Sequence, residues 1–248
     1  MELAIAPAAQ GAAGRLAAVR QRIADAARRA GRSPSEVTLV AISKTFTPEQ
    51  ILPVVQAGAN VLGENRVQEA EEKVGHLPSS ITWHLVGHLQ RNKINKAREL
   101  FALIHSVDSV ALGEAIGKRA ERDGKRMPVL LQVNVAEKET QFGFGEGEIA
   151  EAAAHLARAP GLQLEGLMCI APEVEDAEQT RPYFRRLAAL HRDLAARVRD
   201  AGHPWQHLSM GMTNDFPVAV EEGATLVRVG RAIFGERAAA PTAATAQG

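Results

Sequence analysis

The chain has 248 residues, 46% of them hydrophobic, which is enough to bury a full core and suits one large α/β domain as well as two small ones. Lysine plus arginine (29) balances aspartate plus glutamate (29), so no long-range field draws the chain to nucleic acid or to an anionic membrane, and small or neutral partners are expected. The single cysteine, Cys169, excludes a disulfide framework and a multi-cysteine metal site; with no apolar run near the roughly 20 residues of a membrane span and no secretory signal pattern at the start, a cytoplasmic setting is expected.

Leu16, Val19, Ile23 and Ala26/Ala27 recur at helical spacing with arginines between them, which predicts an amphipathic helix over 15–30, stopped by Gly31. Residues 37–43 (VTLVAIS) form a short β-branched run of the kind buried on both faces of a parallel sheet, with Lys44 just past its end. Thr47-Pro48-Glu49 then starts a helix, threonine at the cap and proline in the first turn, and Gly58 ends it before a second strand at 60–63. Further strands are predicted at 82–86, 103–106, 129–134, 162–168, 207–209 and 226–229, with helical patterns in the intervals.

Eight strands alternating with helices over this length match a closed (β/α)8 barrel of the TIM type, typically ~250 residues, here with an extra N-terminal helix. A doubly wound open sheet is the competing architecture, but it needs a glycine-rich turn after the first strand, where this chain has Lys-Thr-Phe-Thr. No linker or repeat interrupts the pattern, so residues 1–236 are expected to form one domain and 237–248, poor in charge and large apolar groups, a disordered tail.

In such a barrel, binding groups come from the C-terminal ends of the strands, and phosphate commonly sits at the loops after strands seven and eight. Ser209-Met210-Gly211-Met212-Thr213 and Val229-Gly230-Arg231 occupy those places, offering glycine, small hydroxyls and free backbone N–H groups. Either glycine alone reads as a tight turn; the two together point to phosphate. Lys44 stands at the tip of the first strand, beside the eighth in a closed barrel. Burial favours the neutral, nucleophilic form of such an amine, although position alone favours a lysine that extends to the rim or pairs with a carboxylate. Arg228 lies between Val227 and Val229 in a buried strand and needs either a structural carboxylate or a ligand.

With these residues stand Gly63-Glu64-Asn65-Arg66-Val67-Gln68-Glu69, the stretch Trp83-His84-Leu85-Val86-Gly87-His88-Leu89-Gln90-Arg91-Asn92-Lys93, and His207-Leu208-Ser209-Met210-Gly211-Met212. Together they make the chain, from about residue 37 to 236, resemble the pyridoxal phosphate homeostasis protein family, which looks like the N-terminal barrel of alanine racemases standing alone. The resemblance implies pyridoxal 5′-phosphate (PLP) held as a Schiff base on Lys44, Asn65 near its ring, Arg228 facing the pyridine nitrogen, and Ser209, Met210, Gly211, Gly230 and Arg231 around the phosphate, with His207 and Thr213 as further contacts. It implies a protein that buffers the cofactor and delivers it to PLP-dependent apo-enzymes without established catalysis; the absence of a second domain leads to the expectation of a monomer. The chain departs from the family at His88, where proline is frequent, at Thr213, where serine is, and at Gln141, where lysine is.

The competing reading is a PLP-dependent amino-acid racemase. Racemisation needs an acid and a base on opposite faces of the substrate carbon; Lys44 supplies one, and no tyrosine candidate for the other is evident. An aldolase-type Schiff-base barrel ranks last, because its lysine usually falls on a later strand. His84 and His88 have a zinc-like count without a shared helical face, Cys169 lacks an activating base, and Arg91, Lys93, Lys96 and Arg98 read as a solvated helix surface. No metal site is expected.

Overall fold

The computed structural model describes residues 11–138 and 140–235; the expected tail over 237–248 lies outside them. Eight parallel strands close on themselves in chain order: β1 (Thr38–Ile42), β2 (Val61–Glu64), β3 (Thr82–Leu85), β4 (Leu103–Val107), β5 (Met127–Val133), β6 (Leu162–Cys169), β7 (His207–Ser209) and β8 (Leu226–Val229). The seam is β8 against β1, with Thr38 opposite Leu226 and Ala41 opposite Val229. The expected (β/α)8 barrel is the observed fold.

Outside the strands run α2 (Pro48–Gln56), α3 (Val67–Val74), α4 (Ile94–Leu100), α5 (Val110–Arg122), α6 (Ile149–Leu156), α7 (Arg181–Asp200), α8 (Phe216–Glu221) and α9 (Arg231–Phe234). The last two are too short to cover the outer face of the seam. The N-terminal helix α1 (Ala12–Arg29) packs across both of them and against α2, burying Leu16, Val19, Ile23, Ala26 and Ala27, where each large aliphatic side chain contributes roughly 1.5–3 kcal/mol. Arginines tie it down: Arg15 Nε donates to Ile233 O at 2.7 Å, and Arg20 donates to Gly58 O at 2.7 Å.

Side chains alternate along each strand between two cores. Trp83, Leu85, Leu131, Leu167, Val227 and Val229 face the helices in one large cluster, while Val40, Ile42, Val86, Leu103, Leu130, Met168 and Leu226 fill the barrel interior. At Gly166, φ is 147° and an added Cβ would lie 1.8 Å from His207 O, so only glycine lets β6 approach β7 this closely. Helix α5 is capped by Ser109, whose Oγ accepts from Leu112 N at 3.3 Å. Ser109→Ala is expected to lower stability by about 1 kcal/mol in denaturant titration; an unchanged midpoint would show that the cap contributes nothing.

Candidate functional site

Where β1, β6, β7 and β8 end, their loops surround a cavity of about 540 Å3. Ile42, Lys44, Thr45 and Phe46 line it from the first strand, and Met212, Thr213, Asn214 and Asp215 from the turn after β7. Arg228, Gly230 and Arg231 come from the eighth strand. Strand alternation explains Lys44: Val40 and Ile42 point into the barrel, so the residue two further on points over its mouth. Lys44 is half-buried, and its amine has no hydrogen-bond or ion-pair partner among the described residues.

The backbone that carries Lys44 is held from behind. Ser43 Oγ donates to Glu64 Oε1 at 2.7 Å, and Lys73 Nζ donates to both Glu64 Oε1 (2.7 Å) and Ser43 O (2.9 Å). Thr45 adopts φ 69°, a conformation a β-branched residue avoids, and its N–H donates to Glu69 Oε2 at 2.8 Å. Backbone strain of this kind persists only where surrounding contacts over-determine it. Glu64 and Glu69 both belong to the Gly63–Glu69 motif, so that motif clamps the lysine turn rather than lining the cavity. Burial pushes the Glu64 carboxyl up from the usual carboxylate range, against the bonds from Lys73 and Ser43 that pull it down. Its Oε2 is buried with no hydrogen-bond partner among the described residues.

The turn after β7 is built around Gly211, φ 88°, where a Cβ would sit 2.5 Å from Ala219 Cβ. Met212 N–H donates to Asp215 Oδ1 at 2.6 Å. The N–H groups of Thr213, Asn214 and Gly230 have no acceptor among the described residues and are available to an anion. Four cations border the cavity, Lys44, Lys138, Arg228 and Arg231, against two carboxylates, Glu173 and Asp215. The excess of positive charge favours an anionic ligand.

Arg228 enters from below, 5% exposed, its Nη1 donating to Ser209 Oγ at 2.5 Å and its Nη2 to Cys169 O at 2.7 Å. It has no carboxylate ion-pair partner among the described residues; of the two roles open in the sequence, the structural ion pair is not the one seen. Burial pushes the Cys169 thiol up to about 12, which keeps it neutral and unreactive.

Of the nine residues singled out in the sequence, Lys44, Arg228, Gly230 and Arg231 border the cavity, and Thr213 joins them. Gly211 and Met210 shape the turn from within, Met210 being fully buried. Ser209 is also fully buried and bonds to Arg228 rather than opening to the cavity. His207 sits deeper in the barrel, with Nδ1 3.2 Å from Thr225 Oγ1, and Asn65 is half-buried just beyond β2. His84 and His88 diverge: His84 meets His105 inside the barrel, while His88 pairs with Asp108 at 2.7 Å and stacks on Phe142. The sequence did not disclose the wall formed by Lys138, Gln141 and residues 170–174, because loop residues carry no periodic signal. Gln141, where the resemblance led one to expect lysine, ties that wall together by donating to Ile170 O at 2.8 Å.

The family profile described as alanine racemase, N-terminal domain, matches residues 15–238. The pyridoxal phosphate homeostasis protein of Aquifex aeolicus is 42% identical over 224 residues, covering 90% of this chain and 97% of that protein. Its counterpart from Escherichia coli is 37% identical over 227 residues, covering 90% and 95%. Among solved structures, PipY of Synechococcus elongatus with PLP bound superposes with a TM-score of 0.78 at 36% identity, over 91% of this chain and all (100%) of that one. Alanine racemase of Corynebacterium glutamicum, 18% identical with a TM-score of 0.63, spans 92% of this chain, which covers 63% of the racemase and shares its fold.

Proposed function

The chain belongs to the alanine racemase N-terminal domain family and, within it, to the pyridoxal phosphate homeostasis proteins, and on that premise we propose that it carries PLP covalently on Lys44 and does not turn over a substrate. The observation that carries this reading is the unpaired Lys44 amine opening into the same cationic cavity as Arg228 and the free N–H groups at Thr213, Asn214 and Gly230. The PLP seen in PipY supports it.

When bound, the cofactor supplies an aldehyde carbon at one end and a phosphate dianion at the other. The residues present fit both. Lys44 provides the amine. Gly230, Arg231 and the turn over 210–213 hold the phosphate through N–H groups and charge, with Met210 and Gly211 fixing the turn's shape. Arg228, on the cavity floor, would donate to the ring nitrogen; a guanidinium has no acceptor, so that nitrogen would have to accept and stay unprotonated, which would weaken the ring as an electron sink. Ser209 would act through Arg228, with His207 deeper in the barrel and Asn65 beyond β2 as the remaining residues of the proposed site. A weakened electron sink suits retention and hand-over to apo-enzymes better than catalysis. Tyr183, the only tyrosine, packs on α7 with Arg186 over its ring at 5.1 Å and offers no second acid for racemisation. No helix among the described residues is long and apolar enough to cross a membrane, and the reading is completed by a cytoplasmic monomer.

The test is to incubate the purified protein with PLP, reduce with borohydride, and map the adduct by mass spectrometry. One pyridoxyl group on the Lys44 peptide is expected, absent in Lys44→Ala. Labelling elsewhere, or none, overturns the assignment, and enzyme-like inversion of D- or L-amino acids by the loaded protein overturns the carrier role.

A further inference from the structure

Beneath the cavity floor, four side chains from β8, β7, β4 and β3 join end to end across the barrel. Arg228 Nη1 lies 2.5 Å from Ser209 Oγ, Ser209 Oγ 2.8 Å from His105 Nδ1, and His105 Nε2 3.0 Å from His84 Nδ1. All four are buried, with exposures of 5%, 0%, 0% and 7%.

The direction of every bond follows from the first. Arginine donates and never accepts, so Ser209 Oγ is the acceptor. The hydroxyl keeps one hydrogen of its own, and among the described residues its only other partner is His105 Nδ1. Were Nδ1 protonated, both neighbours would donate to Ser209 and its hydrogen would be buried without an acceptor, a costly arrangement. His105 Nδ1 is therefore bare and its proton sits on Nε2. Two imidazole nitrogens 3.0 Å apart share one hydrogen, so His84 Nδ1 accepts in turn and His84 carries its proton on Nε2.

We propose that Ser209 and His105 are positioning residues for Arg228, and that the one-way chain Arg228→Ser209→His105→His84 holds both histidines as neutral Nε2–H tautomers. The guanidinium is then the one full charge within this chain, with two donors committed, to Ser209 and to Cys169 O, and the rest free to face the cavity. Because arginine does not release its proton, the chain is a strut for Arg228 and not a proton path. The surroundings agree. Burial, and then the neighbouring His207, push His84 down to about 4, and His105 is pushed well down by burial, His84, Arg228 and His207. The other titratable groups acting on this interior are Cys169 on β6, Asp215 after β7, and Glu165, which acts on His207.

The tautomers can be read without cofactor. Nitrogen NMR of the histidine-labelled protein should show His105 and His84 neutral, protonated on Nε2, from about pH 8 to about pH 5. Ser209→Ala should free His105 Nδ1 and let the other tautomer appear. A wild-type His105 carrying its proton on Nδ1, or charged in that range, overturns the proposal. A second arm rests on the carrier reading: His105→Leu should shift the absorbance of bound PLP and speed its release about tenfold, the loss of one charge-assisted hydrogen bond, while His105→Gln, which keeps an acceptor for Ser209, should recover most of it. A His105→Leu protein that melts earlier but has unaltered absorbance and release also overturns it. Wild-type protein that takes up no PLP sinks the carrier reading and leaves the NMR result to decide the strut.

Discussion

Replacing Lys73 with methionine is expected to lower the stability of the folded chain by about 3–5 kcal/mol, the loss typical of removing one partner from a buried ion pair. Lys73 and Glu64 are 5% and 0% exposed and 2.7 Å apart, and Glu64 already has one oxygen without a partner among the described residues. In Lys73→Met the Glu64 carboxylate keeps only the Ser43 hydroxyl, and Ser43 O keeps only the longer bond from Phe46 N at 3.2 Å. The stranded group escapes by taking a proton, and this fixes the pH dependence. Burial already raises Glu64, and losing the ammonium raises it further, so the defect is largest at alkaline pH and shrinks as pH falls. Denaturant titrations at about pH 8 and about pH 5 should show the gap from wild type narrowing. Adding Glu64→Gln should recover much of the loss at the higher pH. A gap below about 1 kcal/mol, or one that widens on acidification, would mean the pair is solvated and not the clamp of the Lys44 turn.

The same turn shows what the sequence disclosed. Strand alternation and the seam between the first and last strands sufficed to bring Lys44, Arg228, Gly230 and Arg231 to one cavity, because these are local or topological facts. Glu69 and Lys73 are legible as a helical i,i+4 pair, but Glu64 meets Lys73 only when α3 folds back on β2, and nothing in a nine-residue spacing signals that. The interior chain was hidden for a stronger reason. His105 lies 21 residues from His84 and 104 from Ser209, and a lone polar residue in an apolar strand carries no mark of its partners. Ser209 was accordingly read with the phosphate turn from its place in the motif, whereas its pleat turns it inward. Boundaries slipped where propensity misleads. The fifth strand begins at Met127 rather than 129, because Pro128, although it lacks an N–H, is tolerated near a strand's first residue, where it pairs with Gln163.

Acid should unfold this protein earlier than its carboxylates alone would dictate. His84 and His191 are both pushed down from 6.5 to about 4, chiefly by burial, and His105 lies well below its ordinary value for the same reason. Between those limits the unfolded chain binds protons that the folded chain refuses. The stability these groups contribute is therefore complete above about pH 6.5 and is lost as pH falls towards 4. For His84 the displacement corresponds to about 3 kcal/mol over the full window, and His191, less deeply buried, adds a smaller share. His191 permits a clean check. Its ring stacks on Trp205 with centroids 5.3 Å apart, and its Nε2 has no hydrogen-bond partner among the described residues, so His191→Phe keeps the stack and removes a titrating group. Unfolding free energy measured from about pH 7 to about pH 5 should fall steeply in the wild type and less steeply in His191→Phe. Equal slopes would show that His191 is protonated in the folded protein as readily as in the unfolded chain. A flat wild-type profile would say the same of all three histidines.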